Sequence, residues 1–206
     1  MSKKENNGAG KMTLALAGLV LILIADIVAD LSMFVGDFNL IHWAEAGVTG
    51  FAWILIIIGL AALKNIRKEF ARGLIFSIIG LLSILGEAFF VFSNIRVGIS
   101  GNAFVAMKPM FCEYFSDLMM LLVLYLLVRG CGQLIAKGGD MNLAQLSIRK
   151  SNFEPIIAIL AMALVHFGTI FTMPFSIIIG AIGIIVNAAM RLDMVNYAKT
   201  TIKQEF

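Results

Sequence analysis

The chain has 206 residues, of which 60% are hydrophobic and 14% charged, and its mean hydropathy is +0.95. A soluble domain carries about a quarter of charged residues, so this composition excludes a soluble globular protein and indicates a polytopic membrane protein. The net charge of +3 does not indicate nucleic-acid binding, because the basic residues follow the pattern expected of membrane topology.

Six segments are apolar enough to cross a membrane, for which a helix needs about 20 mainly apolar residues. In chain order they are 12–34, 47–63, 73–93, 114–136, 156–172 and 174–190. Pro174 opens the sixth segment, a position that needs no backbone N–H. We therefore predict an all-α fold: a single integral membrane domain over 1–206, formed by a bundle of six spans.

The segment between the fourth and fifth spans, 137–155, is predicted to be a cytoplasmic linker. It reads as a short amphipathic helix with Leu143, Leu146 and Ile148 on its apolar side. Such a helix lies on the membrane surface or docks a partner, and both alternatives are left open.

The basic residues set the expected orientation. With the N-terminus inside, fourteen Lys and Arg residues fall on the cytoplasmic side, including Arg191 after the sixth span, and only Arg96 and Lys108 fall outside. We expect both termini in the cytoplasm of a cell membrane of the bacterial inner-membrane type. The N-terminal stretch 1–29 also has signal-peptide features, with Ala29 as a cleavage point, but we expect a retained first helix because Asp26 interrupts the approach to that point.

Acidic residues within the first and third spans give the main functional lead. At 100° per residue, Asp26, Asp30 and Asp37 fall at about 0°, 40° and 20°, which places them on one stripe. Glu87 and Asn94 project from the small-residue side of the third span, the side that packs against other helices. Asp26 and Glu87 both lie about 21 Å from the inner boundary, in the outer half of the membrane.

The expected outer half holds more acids than fixed cations, seven against two. The acids are Asp26, Asp30, Asp37, Glu45, Glu87, Glu113 and Asp117, and the cations are Arg96 and Lys108. An ionised carboxylate in lipid is costly unless it is hydrated, paired or protonated. We expect a wet, electronegative cavity that opens outward, with His166 as a proton-sensitive member. It would bind a cationic solute, couple movement to protonation, or coordinate a metal.

A plain structural role is the alternative for these residues. Asp30, Asp37, Glu113 and Asp117 would then be solvated helix ends, and Asp26 and Glu87 would be paired to Arg96 or hydrogen-bonded to Asn94. The two histidines, His42 and His166, have no partner at metal-ligand spacing, and no nucleotide-binding or hydrolase motif is present. We therefore expect no cofactor and no resident metal, and the sequence gives no positive sign of an enzyme.

One polar group lies toward the inner leaflet. Tyr125, Arg129 and Gln133 share a helix face at spacings of four, and Arg129 and Gln133 are predicted to contact lipid phosphates. Simple snorkelling of Arg129 is the alternative.

Three functions remain open at this point. The leading hypothesis is a small transporter, channel or solute-binding transport subunit with an acidic outward-facing cavity for a cationic or proton-coupled solute. The others are a non-catalytic scaffold or regulatory subunit that docks a cytoplasmic partner, and a membrane-embedded lipid-modifying enzyme. In architecture alone, the size and six predicted helices resemble the substrate-binding membrane subunits of energy-coupling-factor importers, a resemblance that implies a separate energising partner.

Overall fold

The structure, a computed structural model, describes residues 5–35, 38–97, 103–168 and 175–205, with side chains over 9–31, 44–90, 112, 114–165 and 175–201. This part of the chain forms helices joined by short connections. They are α1 (Glu5–Val35), α2 (Phe38–Leu63), α3 (Lys68–Val97), α4 (Ala103–Gly138), α5 (Met141–Gly168) and α6 (Phe175–Glu205). The prediction of an all-helical protein is confirmed, and the described residues form six helices.

Five of these helices are long and apolar enough to cross a membrane. The candidate spans are Ala9–Leu31, Ala44–Leu63, Lys68–Phe90, Tyr114–Gly138 and Phe175–Thr201. Their outward faces are apolar: on α3, Ile75, Leu82 and Phe89 are 58%, 60% and 65% exposed. Such faces suit lipid, and the chain is a multi-pass membrane protein. The predicted fifth span, 156–172, extends beyond the described residues and stays a prediction.

α4 and α6 extend beyond their predicted boundaries, which changes the position of two charged residues. α4 begins at Ala103, so Asp117 lies fourteen residues into the helix, about 21 Å along its axis. The expectation that Asp117 lies at the start of a helix is wrong. α6 continues through Arg191 to Glu205, so Arg191 also lies inside a helix.

α5 also differs from the prediction, because it runs without a break through Pro155 and joins the predicted linker to the predicted span. Its first turn is capped by Asp140, whose Oδ1 accepts a hydrogen bond from the Leu143 N–H at 3.1 Å. The buried side of its first half carries Ser147 and Ser151, whereas Ile148 is 52% exposed.

The side of this segment that packs against the bundle thus carries serines, and the facing helix supplies the reason. The predicted docking of the apolar side on a membrane surface or a partner stays a prediction. α4 presents Gly132, where a Cβ atom would lie only 1.8 Å from the Ser147 Oγ. A contact this close admits a serine and has no room for leucine.

Close helix contacts fix the rest of the bundle. α1 and α2 meet at Gly18 and Gly59, where an added Cβ would lie within 2.7 Å of the facing backbone. The Trp53 ring packs directly on Gly80 of α3, and its indole Nε1 donates to the Ser116 Oγ at 3.0 Å. The ring contact and the hydrogen bond together hold α2, α3 and α4 in register at the level of Asp117. α6 packs against α5, α4 and α1 and closes the bundle.

Candidate functional site

A fully buried arginine lies at the centre of the polar interior. Arg191 of α6 is 0% exposed, and its Nη1 donates to the Asp26 Oδ2 of α1. Its Nη2 lies 3.7 Å from the Asp117 Oδ2 of α4. The sulfur atoms of Met120 and Met162 accept further contacts from the same guanidinium at 3.3 and 3.2 Å. One cation therefore links α1, α4, α5 and α6.

The expectation that Arg191 lies after the end of the sixth span is wrong, because the candidate span runs over Phe175–Thr201 and the side chain is buried. That prediction followed from ending the sixth span at 190, where the apolar run stops. The buried face of α6 continues past this point, through Asn187, Arg191, Met194 and Ala198. These residues recur at spacings of three and four, which is the signal that was available in the sequence.

A small recess lies beside the arginine. It is lined by Asp26, Glu45, Ala46, Thr49, Ile84, Glu87, Ser116 and Asp117. Its walls therefore come from four helices, α1 to α4. Three of the predicted site residues, Asp26, Glu87 and Asp117, are brought together here. Glu45 was expected among the acids of the outer half but was not named as a binding or proton-coupling residue, and Thr49 and Ser116 were missed.

The recess contains an unused hydrogen-bonding group. Thr49 is only 3% exposed, and its Oγ1 has no hydrogen-bond partner among the described residues. A buried hydroxyl without a partner costs about 1–3 kcal/mol, which a ligand able to hydrogen-bond would offset. The space open to water is about 10 Å³, close to the smallest volume that holds one water molecule. The recess suits a water-sized species and not an organic cation.

The carboxylates around the recess differ in their ion pairing. Arg191 contacts two of them, Asp26 and Asp117. Glu87 is 7% exposed and forms no ion pair among the side chains described here. A buried carboxylate is costly in its ionised form unless it is paired or hydrated, so this arrangement favours uptake of a proton or a small cation.

A metal centre is less well supported. Within the described side chains, no group of three His, Cys, Asp or Glu residues is arranged to hold a metal ion. The chemistry that suits the recess best is exchange of a proton between carboxyl groups and a hydrogen-bonded water.

The remaining predicted site residues lie away from the recess or are not among the side chains that the structure describes. Asp30 is half-buried one turn beyond Asp26, and its charge acts on Arg191. The side chains of Asn94, Arg96 and His166 lie outside the described residues, as do those of Glu113 and Lys108, and all of Asp37. The roles expected of these residues stay predictions.

The inner-leaflet group divides into two separate contacts. The Arg129 Nη1 donates to the Tyr125 hydroxyl, and the guanidinium lies 5.5 Å from the centre of the Tyr125 ring. The Gln133 side-chain Nε2 instead donates to the Glu69 Oε1 of α3 at 3.0 Å. The main-chain carbonyl oxygen of Gln133 accepts a hydrogen bond from the Arg67 Nη2. Gln133 thus joins α3 to α4, and Arg129 alone faces the surroundings of the bundle.

No family model, no curated protein and no solved structure matches this chain, so its function has to be inferred from the geometry of its polar interior.

Proposed function

We propose that this protein is a small multi-pass membrane transport protein that couples solute movement to protonation of the carboxylates around the recess. The observation that carries the proposal is the meeting of Asp26, Glu45, Glu87 and Asp117, from four different helices, beside the buried Arg191. Ionisable groups within spans are costly, and in membrane proteins they commonly mark ion paths or proton relays.

Each acid takes a distinct role in this proposal. Asp26 and Asp117 hold Arg191 and set the electric field at the recess. Glu87 lacks a described ion pair, so it is the group that gains and loses the proton. Thr49 and Ser116 supply hydroxyl groups for the water through which the proton moves.

Proton coupling fits the recess better than direct binding of a large cation. The space for about one water molecule accommodates a proton carrier, whereas an organic cation needs a pocket of several hundred Å³. The transported solute would therefore bind elsewhere in the bundle or in another conformation, and protonation of Glu87 would bias the exchange between conformations.

Proteoliposomes loaded with a pH-sensitive dye test the proposal. Na⁺, K⁺ and small alkylammonium ions are added in turn, and the dye reports proton movement driven by each solute. We expect at least one solute to move protons faster in protein-containing than in empty liposomes, and Glu87→Gln to remove at least nine-tenths of this flux.

Asp193→Asn is the matched control, because Asp193 is an exposed carboxylate on α6 with 51% of its side chain accessible. It should retain the wild-type flux. A Glu87→Gln protein that is folded and as active as wild type would eliminate the proposed role.

A non-catalytic scaffold or regulatory subunit is the second candidate. It is favoured by the ion pairs themselves, because Asp26 and Asp117 already have a protein cation and so need no ligand. In that case the reconstituted wild type would move no protons with any solute, and Asp26→Asn would lower only the stability.

A further inference from the structure

A groove between α4 and α5 lies apart from the acidic recess. It is lined by Leu118, Leu121, Leu122, Tyr125, Ser151, Asn152, Pro155, Ile156 and Ile159, and has a volume of about 320 Å³. Most of its lining is apolar, and its polar groups gather at one end. Leu118 and Ile159 lie at the other end, since the two helices run in opposite directions.

The polar end carries a positive charge that is held in place. Tyr125 lines the groove, and its hydroxyl and ring both contact the exposed Arg129 guanidinium. Across the groove, Asn152 is exposed, and the exposed Arg149 lies three residues earlier on the same face of α5. Arg129 thus lies beside the polar end of the groove and Arg149 shares a helix face with Asn152, and guanidinium groups bind phosphate well.

The groove, together with the arginine just beyond its polar end, is about as long as one membrane leaflet. Leu118 and Arg129 are eleven residues apart on α4, which corresponds to about 16 Å along the helix. Half of the hydrocarbon core of a bilayer is about 15 Å. A molecule with a phosphate at Arg129 and a flexible chain along the apolar wall would therefore fill the groove from one end to the other.

We propose that an anionic phospholipid binds in this groove, with its phosphate on Arg129 and one acyl chain along Leu118, Leu122 and Ile159. An apolar partner helix fits less well, because it would leave the guanidinium group at the polar end of the groove without a negatively charged partner. The charge of the site selects an anionic headgroup over a zwitterionic one. The proposal is independent of proton coupling at the recess.

Native mass spectrometry of the protein released from nanodiscs tests this site. The nanodiscs contain phosphatidylcholine with increasing fractions of phosphatidylglycerol. We expect wild type to retain phosphatidylglycerol well above its share of the bilayer. Arg129→Gln should weaken this binding about fivefold, the effect of losing one basic group near anionic lipid.

Lys137→Gln is the matched control, since Lys137 is an exposed cation on α4 that does not line the groove. It should retain the lipid as wild type does. Leu122→Trp fills the apolar part without changing the charge and should also release the lipid, so the test does not depend on one variant. Melting curves confirm that each variant is folded.

Equal retention by wild type, Arg129→Gln and Leu122→Trp would overturn the proposal, as would binding without preference for the anionic lipid. A second protein retained in the groove in place of lipid would also overturn it. Loss of the lipid with unchanged proton flux would leave the proposed transport function unaffected, so the two proposals fail separately.

Discussion

Arg191 determines how the buried carboxylates behave. A buried ion pair adds little to stability compared with an apolar pair of the same shape, but removing one partner leaves an uncompensated charge in the interior. Asp26 and Asp117 both depend on this one guanidinium, and its Nε has no partner among the described residues. The cluster is therefore under-satisfied, which suits a site that changes its protonation state better than a rigid structural lock.

Substituting this arginine should be costly. We expect Arg191→Gln to lower the free energy of unfolding by about 3–5 kcal/mol, because two carboxylates lose their cation. Unfolding with SDS in mixed micelles measures the change. Arg149→Gln, at an exposed position, should change it by less than about 1 kcal/mol. Equal effects of the two substitutions would contradict the assigned burial and pairing.

The sequence predicted part of this site. Asp26 and Glu87 were expected at one level of the interior because their charges stand out in apolar spans, and both line the recess. Thr49 was missed because a helical hydroxyl usually bonds to its own backbone, as Ser77 does to the Gly73 carbonyl oxygen. Only the three-dimensional packing shows that Thr49 has no such bond.

At the scale of the helices, small residues decide where elements meet. Gly59 of α2 lies against α1 so closely that an added Cβ would be 2.7 Å from both the Ala15 Cβ and the Lys11 carbonyl oxygen. Backbone cannot move away as a flexible side chain can. The α1–α2 pair, and with it the position of Asp26 opposite Thr49, depends on this contact.

Adding a single methyl group at Gly59 tests the contact between α1 and α2. We expect Gly59→Ala to destabilise the protein by about 1–3 kcal/mol through overpacking. Gly47→Ala is the matched control in the same helix, since nothing lies within 4 Å of the added Cβ. It should be neutral or stabilising by up to about 1 kcal/mol, because alanine favours helix. Melting temperatures in detergent compare the two, and an equal loss in both would show that α1 and α2 are not packed this closely.

A side-chain contact between α5 and α6 is expected to depend on pH. Burial raises the pKa of the Glu154 carboxyl to about 7, against the opposing effect of its hydrogen bond from the Lys150 Nζ at 3.1 Å. Lys150 also donates to Asp193 of α6, so the three groups form one network. Between its ordinary pKa and about 7, folded Glu154 keeps a proton that the unfolded chain has released.

This difference in bound protons determines the direction in which the stability of the protein changes with pH. The stability contributed by Glu154 should fall as the pH rises from about 5 to about 7, because rising pH favours the state that binds fewer protons. We therefore expect the melting temperature of Glu154→Gln, relative to wild type, to rise between pH 5 and pH 8. A constant or falling difference over that interval would show that Glu154 does not titrate in this way.

The amino-acid composition of α5 explains why its extent was hard to predict from the sequence. Composition separates its polar first half from its apolar second half, and Pro155 marks the boundary where a helix commonly ends. The helix nevertheless continues, and Ser147 in its first half packs against Gly132 of α4. Tertiary contact outweighs local sequence preference there.

At the scale of the whole molecule, helices that are consecutive in the chain are antiparallel neighbours, and α6 closes the bundle against α1 and α4. The helical class and the multi-pass character followed from the length of the apolar segments, and both were confirmed, whereas five of the six predicted spans are found as candidates among the described residues. The orientation in the membrane rests on the basic residues, and the excess on one side remains large after Arg191 is moved into the interior.

Reporter fusions test this orientation. We expect green fluorescent protein fused to the C-terminus to fluoresce and alkaline phosphatase fused there to be inactive, because the positive-inside rule places that end in the cytoplasm. A phosphatase fusion after residue 100, in the predicted external segment, should be active. The opposite pattern would invert the topology and place the lipid groove in the other leaflet.

The most direct test of the central claim is replacement of Thr49 by valine, which removes the unpartnered hydroxyl and keeps the shape of the side chain. If the recess works as a hydrated proton-transfer site, Thr49→Val should lower solute-driven proton flux in proteoliposomes at least tenfold, while Thr49→Ser retains most of it. If Thr49→Val is instead more stable than wild type and equally active, the recess is dry and has no part in transport.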